Sequence, residues 1–270
     1  MSQHVAARPH AGLMNELERV AREVAADWRV ELGVPFHLSR HSFVAPAGDD
    51  AVLKIAPAED EESDHEADAL ELWNGDGAVR LLRRDPNRKA MLLERARPGT
   101  DLSQVAEDEA IAVAVDISAR LWRRPPPGAP FRRVIDLAPA WLEAVADESE
   151  LVFHARRALD ALGSRTTTVV HGDFHHHNVL RHGDRYVAID PKAAIGEPEF
   201  DVPPFLWNPI GTTPTVERTE RRIAAFVAAG LDDARIRSWS IIRGVYLGFI
   251  QGPSIGEPPQ LAVARMLTAT

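Results

Sequence analysis

The chain has 270 residues, 45% hydrophobic and 26% charged, a composition of ordinary globular proteins and a length for one or two core-bearing units. A formal net charge of −9 argues against a nonspecific nucleic-acid binder, which needs a basic footprint to displace counterions from phosphates. The absence of cysteine excludes disulfides, thiolate catalysis and cysteine-ligated metal centres.

The N-terminal MSQHVAARPHAGLMNELERV carries no apolar signal core, and the most apolar late run, SIIRGVYLGFI, is short and interrupted by Arg243. The expectation is a cytoplasmic protein without a membrane segment. Leu13, Leu17, Val20, Val24 and Trp28 fall at helical spacing, which predicts an amphipathic first helix. From Phe36 to Ile55 the pattern changes to FHLSRHSFVAP, the turn-prone Ala47-Gly48-Asp49-Asp50, then AVLKI, together a β-hairpin. A charged helix is predicted from Glu59 to Trp73, stopped by Asn74-Gly75-Asp76-Gly77. AVRLLRR and AMLLERA around DPNRK form a second hairpin.

After Pro98-Gly99 the character shifts. Asp101 to Arg124 reads as helix, Pro125 to Pro130 as a stiff break, and Ile135 to Leu162 as two further helices. Short strands follow, and helical patterns return from Glu217. The order is a small β-rich half with one inserted helix, a connector near Glu94 to Gly99, and a larger, mainly helical half.

The densest chemistry lies in VVHGDFHHHNVLRHGDRYVAIDPK, from Val169 to Lys192. His171-Gly172-Asp173 and Asn178 reproduce the His-x-Asp and Asp-to-Asn spacing of the kinase pattern H-R-D-x-x-x-x-N, and Asp190 closes the strand-like YVAID. In that pattern the first aspartate faces the acceptor hydroxyl, while the asparagine and second aspartate hold magnesium on the nucleotide phosphates. Lys54 in AVLKI is the candidate for the α- and β-phosphates. Its partner is sought on the following helix, where Glu66 shares an inward stripe with Leu70 and Trp73; Glu62 is the second choice. The competing reading is a zinc site on His171 and His175, completed by His176 or His177. Gly172 and the strand-like flanks oppose the helix this would require, and no H-E-x-x-H glutamate is present. In the kinase reading His171 braces the loop, and His175 to His177 line or cover the cleft.

These segments, with HEADALELWNGDGAVRLL (His65 to Leu82), MLLERARPGTDL (Met91 to Leu102) and HGDFHHHNVL…AIDPK…GEPEFD…NP (His171 to Pro209), resemble the aminoglycoside phosphotransferases. The resemblance is to the branch of streptomycin kinases and hydroxyurea phosphotransferases, the aminoglycoside/hydroxyurea antibiotic resistance kinases. It implies an α+β, two-lobed, protein-kinase-like fold, with a nucleotide-binding lobe over residues 1–97 and a catalytic and acceptor-binding lobe over residues 98–270. It implies ATP as donor, Mg2+ as cofactor and a small-molecule hydroxyl as acceptor, an aminoglycoside such as streptomycin before hydroxyurea or another metabolite. By resemblance, Asp173 is the catalytic base with His171 beside it, and Asn178 and Asp190 are the metal ligands. Lys54 with Glu66 forms the phosphate clamp, and the backbone of Glu94 to Ala96 receives adenine.

Two departures stand out. No glycine occurs from Leu38 to Pro46, where a glycine-rich phosphate loop is expected; Ser39, Arg40 and Ser42 are the side-chain donors available instead. This loop motivates a rival of another class, a nucleotide-binding pseudokinase without efficient transfer. Asp190-Pro191-Lys192 stands in place of D-F-G and no A-P-E element follows, which argues against a protein substrate. For a cationic acceptor the acidic candidates are Glu197, Glu199 and Asp201, with His176 on the loop; Asp201 before Val-Pro-Pro also reads as a helix cap.

Overall fold

The computed structural model describes residues 10–36, 42–147, 149–163, 165, 167–250 and 256–269. The first helix, α1 (His10–Trp28), lies on an antiparallel sheet of β1 (Phe43–Ala47), β2 (Ala51–Ile55), β3 (Leu81–Asp85) and β4 (Ala90–Glu94), in the order β1-β2-β4-β3. Leu17, Ala21, Val24 and Trp28 recur along one face of α1 and bury against Phe43, Ala45, Leu53 and Ile55. Burying a side chain of leucine or valine size is worth about 1.5–3 kcal/mol, so this face anchors a sheet whose β3 is largely exposed.

The hairpin expected from Phe36 differs in one respect. Its strands are β1 and β2, while Glu31 to Phe36 run along the other side of β1, joined by Gly33 N–H to Pro46 O, Phe36 N–H to Val44 O and Gly48 N–H to Glu31 O, each 2.8 Å. Residues 37–41, between Phe36 and Ser42, are outside the described residues. Leu38, Ser39 and Arg40 of the glycine-free loop are among them, and Ser42, at its end, is buried. The helix expected over Glu59 to Trp73 is split into a single 3-10 turn, Glu61–Ser63, and α2 (Glu66–Trp73). Asn74 ends α2 in the left-handed conformation, as the Asn-Gly stop requires.

Beyond β5 (Pro98–Asp101) come α3 (Glu107–Leu121), α4 (Val134–Glu143) and α5 (Glu150–Leu162). Glu107, Asp108 and Glu109 in the first turn of α3 and Arg120 in its last turn complement the helix dipole. Next are β6 (Thr168–Val170), β7 (Val179–His182), β8 (Arg185–Ala188) and β9 (Ala194–Gly196), then α6 (Val202–Trp207), α7 (Val216–Ala228), α8 (Asp233–Ile250) and α9 (Pro259–Thr268). One core joins α2, α3, α6 and α7 around Trp73, Phe174, Phe205 and Phe226; a second joins α4, α5, α8 and α9 around Trp239 and Ile242. A β-sheet N-terminal region thus sits on a helical C-terminal region, the two-lobed arrangement expected. Among the described residues no helix is long and apolar enough to cross a membrane.

Candidate active site

Two short antiparallel pairings bring the polar residues of 169–192 together. In the first, β7 and β8 pair Val179 with Ala188, and the Ile189 N–H donates to Asn178 O at 2.9 Å, so Asp190 emerges beside Asn178. In the second, β6 pairs with β9, and the Lys192 N–H donates to His171 O at 2.8 Å just beyond it. The loop from His171 to Asn178 is held at both ends by the strands that carry Asp190 and Lys192.

Within the loop, the Asn178 amide nitrogen donates to Asp173 O at 2.9 Å and lies 3.4 Å from Asp173 Oδ2; His175 Nε2 is 3.7 Å from the same oxygen. Burial opposes ionisation of Asp173, but His175, Lys192 and Arg243 outweigh it and hold this carboxyl below its usual range. Gly172 has φ 81°, a left-handed conformation that glycine adopts without strain.

His171 is fully buried, stacked on Trp73 with 6.1 Å between ring centroids. Its Nδ1 accepts from the Asp173 N–H at 3.3 Å, so the proton is on Nε2, which donates to Ile189 O at 3.0 Å. Burial lowers its pKa. His171, expected beside the catalytic base, has both ring nitrogens engaged inside the fold and braces the Asp173 loop from beneath.

Lys54 projects from β2 on the face opposite Leu53 and Ile55. Its Nζ is 2.6 Å from Glu66 Oε2 and also donates to Asp190 Oδ1. Glu66, Leu70 and Trp73 share the buried face of α2. Burial pushes the Glu66 carboxyl up, to about 7, against the pull of Lys54. Lys54 is raised because the two carboxylates outweigh its burial. Lys54, in turn, holds Asp190 low. Asp190 has φ 57°, a non-glycine residue in left-handed backbone at the end of the β8 run.

The connector Glu94 to Ala96 is only partly open to a ligand. The Glu94 N–H donates to Arg80 O and the Arg95 N–H to Asp50 O, each 2.9 Å. Among the described residues only the Ala96 N–H of these three has no hydrogen-bond partner.

The acidic and histidine candidates for acceptor contact are buried and paired within the fold. Glu197 is buried, bound by Arg235 and by Trp239 Nε1 at 2.7 Å. Glu199 is buried and accepts from the Asp232 N–H at 3.1 Å. Asp201 caps no helix through its side chain. Instead its carboxylate accepts from the His171 N–H at 2.9 Å, the Gly172 N–H at 2.7 Å and Trp122 Nε1 at 3.0 Å. His176 is 1% exposed, stacked on Phe205 at 4.2 Å and 3.2 Å from Arg222, and burial lowers its pKa to about 2. Each is consumed in the packing beneath the loop. His177, for its part, bridges Asp101 Oδ2 at 2.8 Å and the Ile210 N–H at 3.2 Å. The four histidines thus face separate partners rather than a common centre, and among the described residues no three His, Asp or Glu side chains are grouped to hold a metal.

Sequence reasoning missed two supports. Arg243 on α8 donates to Phe200 O at 2.8 Å and Gly172 O at 2.7 Å, with its guanidinium 4.2 Å over the Phe200 ring. Burial lowers its pKa to about 10. The signal was a lone arginine in an otherwise apolar helix. Lys192 is the other, its Nζ 2.5 Å from Glu62 Oε2 across the two regions.

Residues 31–249 match the family model for aminoglycoside/hydroxyurea antibiotic resistance kinase. The chain belongs to this family. It is 32% identical over 240 residues to a streptomycin 6-kinase from Streptomyces glaucescens, covering 82% of this chain and 78% of that protein. It is 31% identical over 272 residues to a hydroxyurea phosphotransferase from Kitasatospora aureofaciens, covering 92% of this chain and 78% of that protein. Its fold is similar to that of a thermostable mutant of the aminoglycoside phosphotransferase APH(4)-Ia in ternary complex with ADP and hygromycin B. That match has TM-score 0.62 and 17% identity over 93% of this chain and 97% of that chain. This member of the resistance-kinase family carries the HGD…N and IDPK residues on adjacent, mutually bonded strands and loop.

Proposed function

We propose that the chain transfers a phosphoryl group from ATP, with Mg2+, to a hydroxyl group of a small molecule, an aminoglycoside such as streptomycin being the favoured acceptor. The observation that carries this reading is the convergence of Lys54, Glu66 and Asp190 beside the Asp173–Asn178 loop, in a chain of the resistance-kinase family. In this reading residues 1–97 are the nucleotide-binding lobe and residues 98–270 the lobe that carries the acceptor.

The donor set suits magnesium. The Asn178 amide nitrogen is turned onto Asp173, and among the described residues neither Asn178 Oδ1 nor Asp190 Oδ2 has a hydrogen-bond partner. One carboxylate and one amide oxygen, completed by phosphate and water, is a magnesium-type arrangement. When bound there, the ion neutralises charge on the phosphates. The chain's own groups do the rest. Lys54, kept charged by Glu66, presents its ammonium to phosphate oxygens. Asp173, ionised and fixed by Asn178 and His175, orients the acceptor hydroxyl and takes its proton as the oxygen attacks. The Ala96 N–H is available to the nucleotide base.

The test is ADP release and product phosphorylation with Mg-ATP across a panel of streptomycin, other aminoglycosides and hydroxyurea. Asp173→Asn is expected to lower kcat by about 10²–10⁴ with little change in the KM for ATP. An unaltered rate in that variant removes Asp173 from the role.

A further inference from the structure

Glu197, Glu199 and Asp201 are committed to the fold, so a cationic acceptor must find its complement elsewhere. We propose that Trp141 and Tyr246 form a stacking platform for a guanidinium or ammonium group of the acceptor, with Glu62 as its counter-charge. This rests on the phosphotransfer reading above and names the chemistry of its acceptor site.

The rings of Trp141, on α4, and Tyr246, on α8, are stacked with 5.3 Å between centroids and 15° between planes. Both are partly exposed. Among the described residues neither the Trp141 indole N–H nor the Tyr246 hydroxyl has a hydrogen-bond partner. Both polar ends are therefore open to solvent or ligand. The platform is tied to the Asp173 loop by a short path of contacts. Trp141 stacks on Phe200 at 6.1 Å, Phe200 lies under the Arg243 guanidinium, and Arg243, one helical turn before Tyr246, holds Gly172 O. The rings are thus connected through Phe200 and Arg243 to Gly172, the residue before Asp173.

Glu62 supplies the charge. Its carboxylate holds Lys192 Nζ at 2.5 Å, the Lys192 carbonyl lies directly against Gly172, and the Gly172 carbonyl is held by Arg243 one turn before Tyr246, which brings Glu62 to the same side of the loop as the rings. Its present partner is Lys192, and the two side chains are 67% and 44% exposed. An ion pair this open to water contributes little, so an incoming cation can take the place of the lysine ammonium. A π face next to a carboxylate favours a flat, weakly hydrated guanidinium over a neutral group.

The full-length chain, saturated with Mg-AMP-PNP, is titrated with streptomycin by calorimetry. Tyr246→Ala and Glu62→Gln are each expected to weaken binding about tenfold or more, while Tyr246→Phe, which keeps the ring, stays within about twofold. Glu62 is on the surface, so its variant remains informative even if a Tyr246 variant folds poorly. Unchanged affinity in Glu62→Gln and a folded Tyr246→Ala, or no streptomycin binding by the wild type, overturns the platform. Phosphoryl transfer is read separately from ADP release. A wild type that binds streptomycin through these residues yet phosphorylates nothing refutes the proposed reaction and supports the platform; one that phosphorylates hydroxyurea but does not bind streptomycin refutes the platform alone.

Discussion

Gly172 lies directly against the backbone carbonyl of Lys192: a Cβ on Gly172 would stand 2.1 Å from that oxygen, and Gly172 has φ 81°. The close approach lets the Lys192 N–H bond to His171 O and seats Asp173 beside Asn178. Gly172→Ala must therefore both strain its own backbone, by about 1–2 kcal/mol, and push the 190–192 segment away. The expected result is a melting temperature lower by several degrees and a fall of about tenfold or more in kcat. Thermal unfolding and steady-state rates on the same preparation check it.

Asp201 is the anchor of the same loop. Its two oxygens accept from two consecutive backbone N–H groups and an indole N–H. Asp201→Asn keeps the shape but sets an amide N–H against one of these donors, leaving buried groups unsatisfied at about 1–3 kcal/mol. The expected signature is reduced stability by chemical denaturation and reduced kcat, with the KM for ATP nearly unchanged, since the displaced element is the Asp173 loop and not the Lys54 clamp.

The site was legible where its signal is local. The Lys54 and Glu66 juxtaposition follows from a lysine in AVLKI and from Glu66, Leu70 and Trp73 falling on one helical stripe. The proximity of Asn178 and Asp190 follows from two short strands joined by Gly183-Asp184. What escaped reading depends on partners distant in the chain. Glu197 looks like a loop carboxylate until Arg235 and Trp239 arrive from α8, and Asp201 looks like a cap until Trp122 and the 171–172 backbone meet it. His176 follows His175 directly, but a single 3-10 turn sends the two rings in different directions, one toward Asp173 and one onto Phe205. The pairing of Glu31 to Phe36 along β1 gives no alternation in the sequence from which it could be read.

Lys54 neutralises a carboxylate that has no exposure at all. Lys54→Met leaves Glu66 buried without its cation, so a carboxyl already at about 7 rises further. A folded-state pKa above the unfolded value favours folding below the unfolded value and loses that contribution as pH rises through the folded one. The variant is therefore expected to melt close to wild type near pH 5 and well below it at pH 8, and Glu66→Gln in the same chain should restore most of the loss. Melting temperatures across pH 5–8 for the single and double variants decide this, and the KM for ATP should rise about tenfold in both.

Asp173 has the opposite sign. Its carboxyl is held below the ordinary value of 3.8 by His175, Lys192 and Arg243 despite burial. Its ionised form is thus favoured by the fold, a contribution present above the unfolded pKa and lost as pH falls through the folded one. Asp173→Asn removes that contribution and leaves Lys192 and Arg243 without this counter-charge. The wild type is expected to melt above the variant at neutral pH, and the margin should close as the pH falls below the ordinary carboxylate range and through the lowered folded-state pKa. A margin that instead widens on acidification means that Asp173 is protonated more readily in the fold than in the unfolded chain. Such a carboxyl would be unable to stand ready as the proton acceptor at neutral pH.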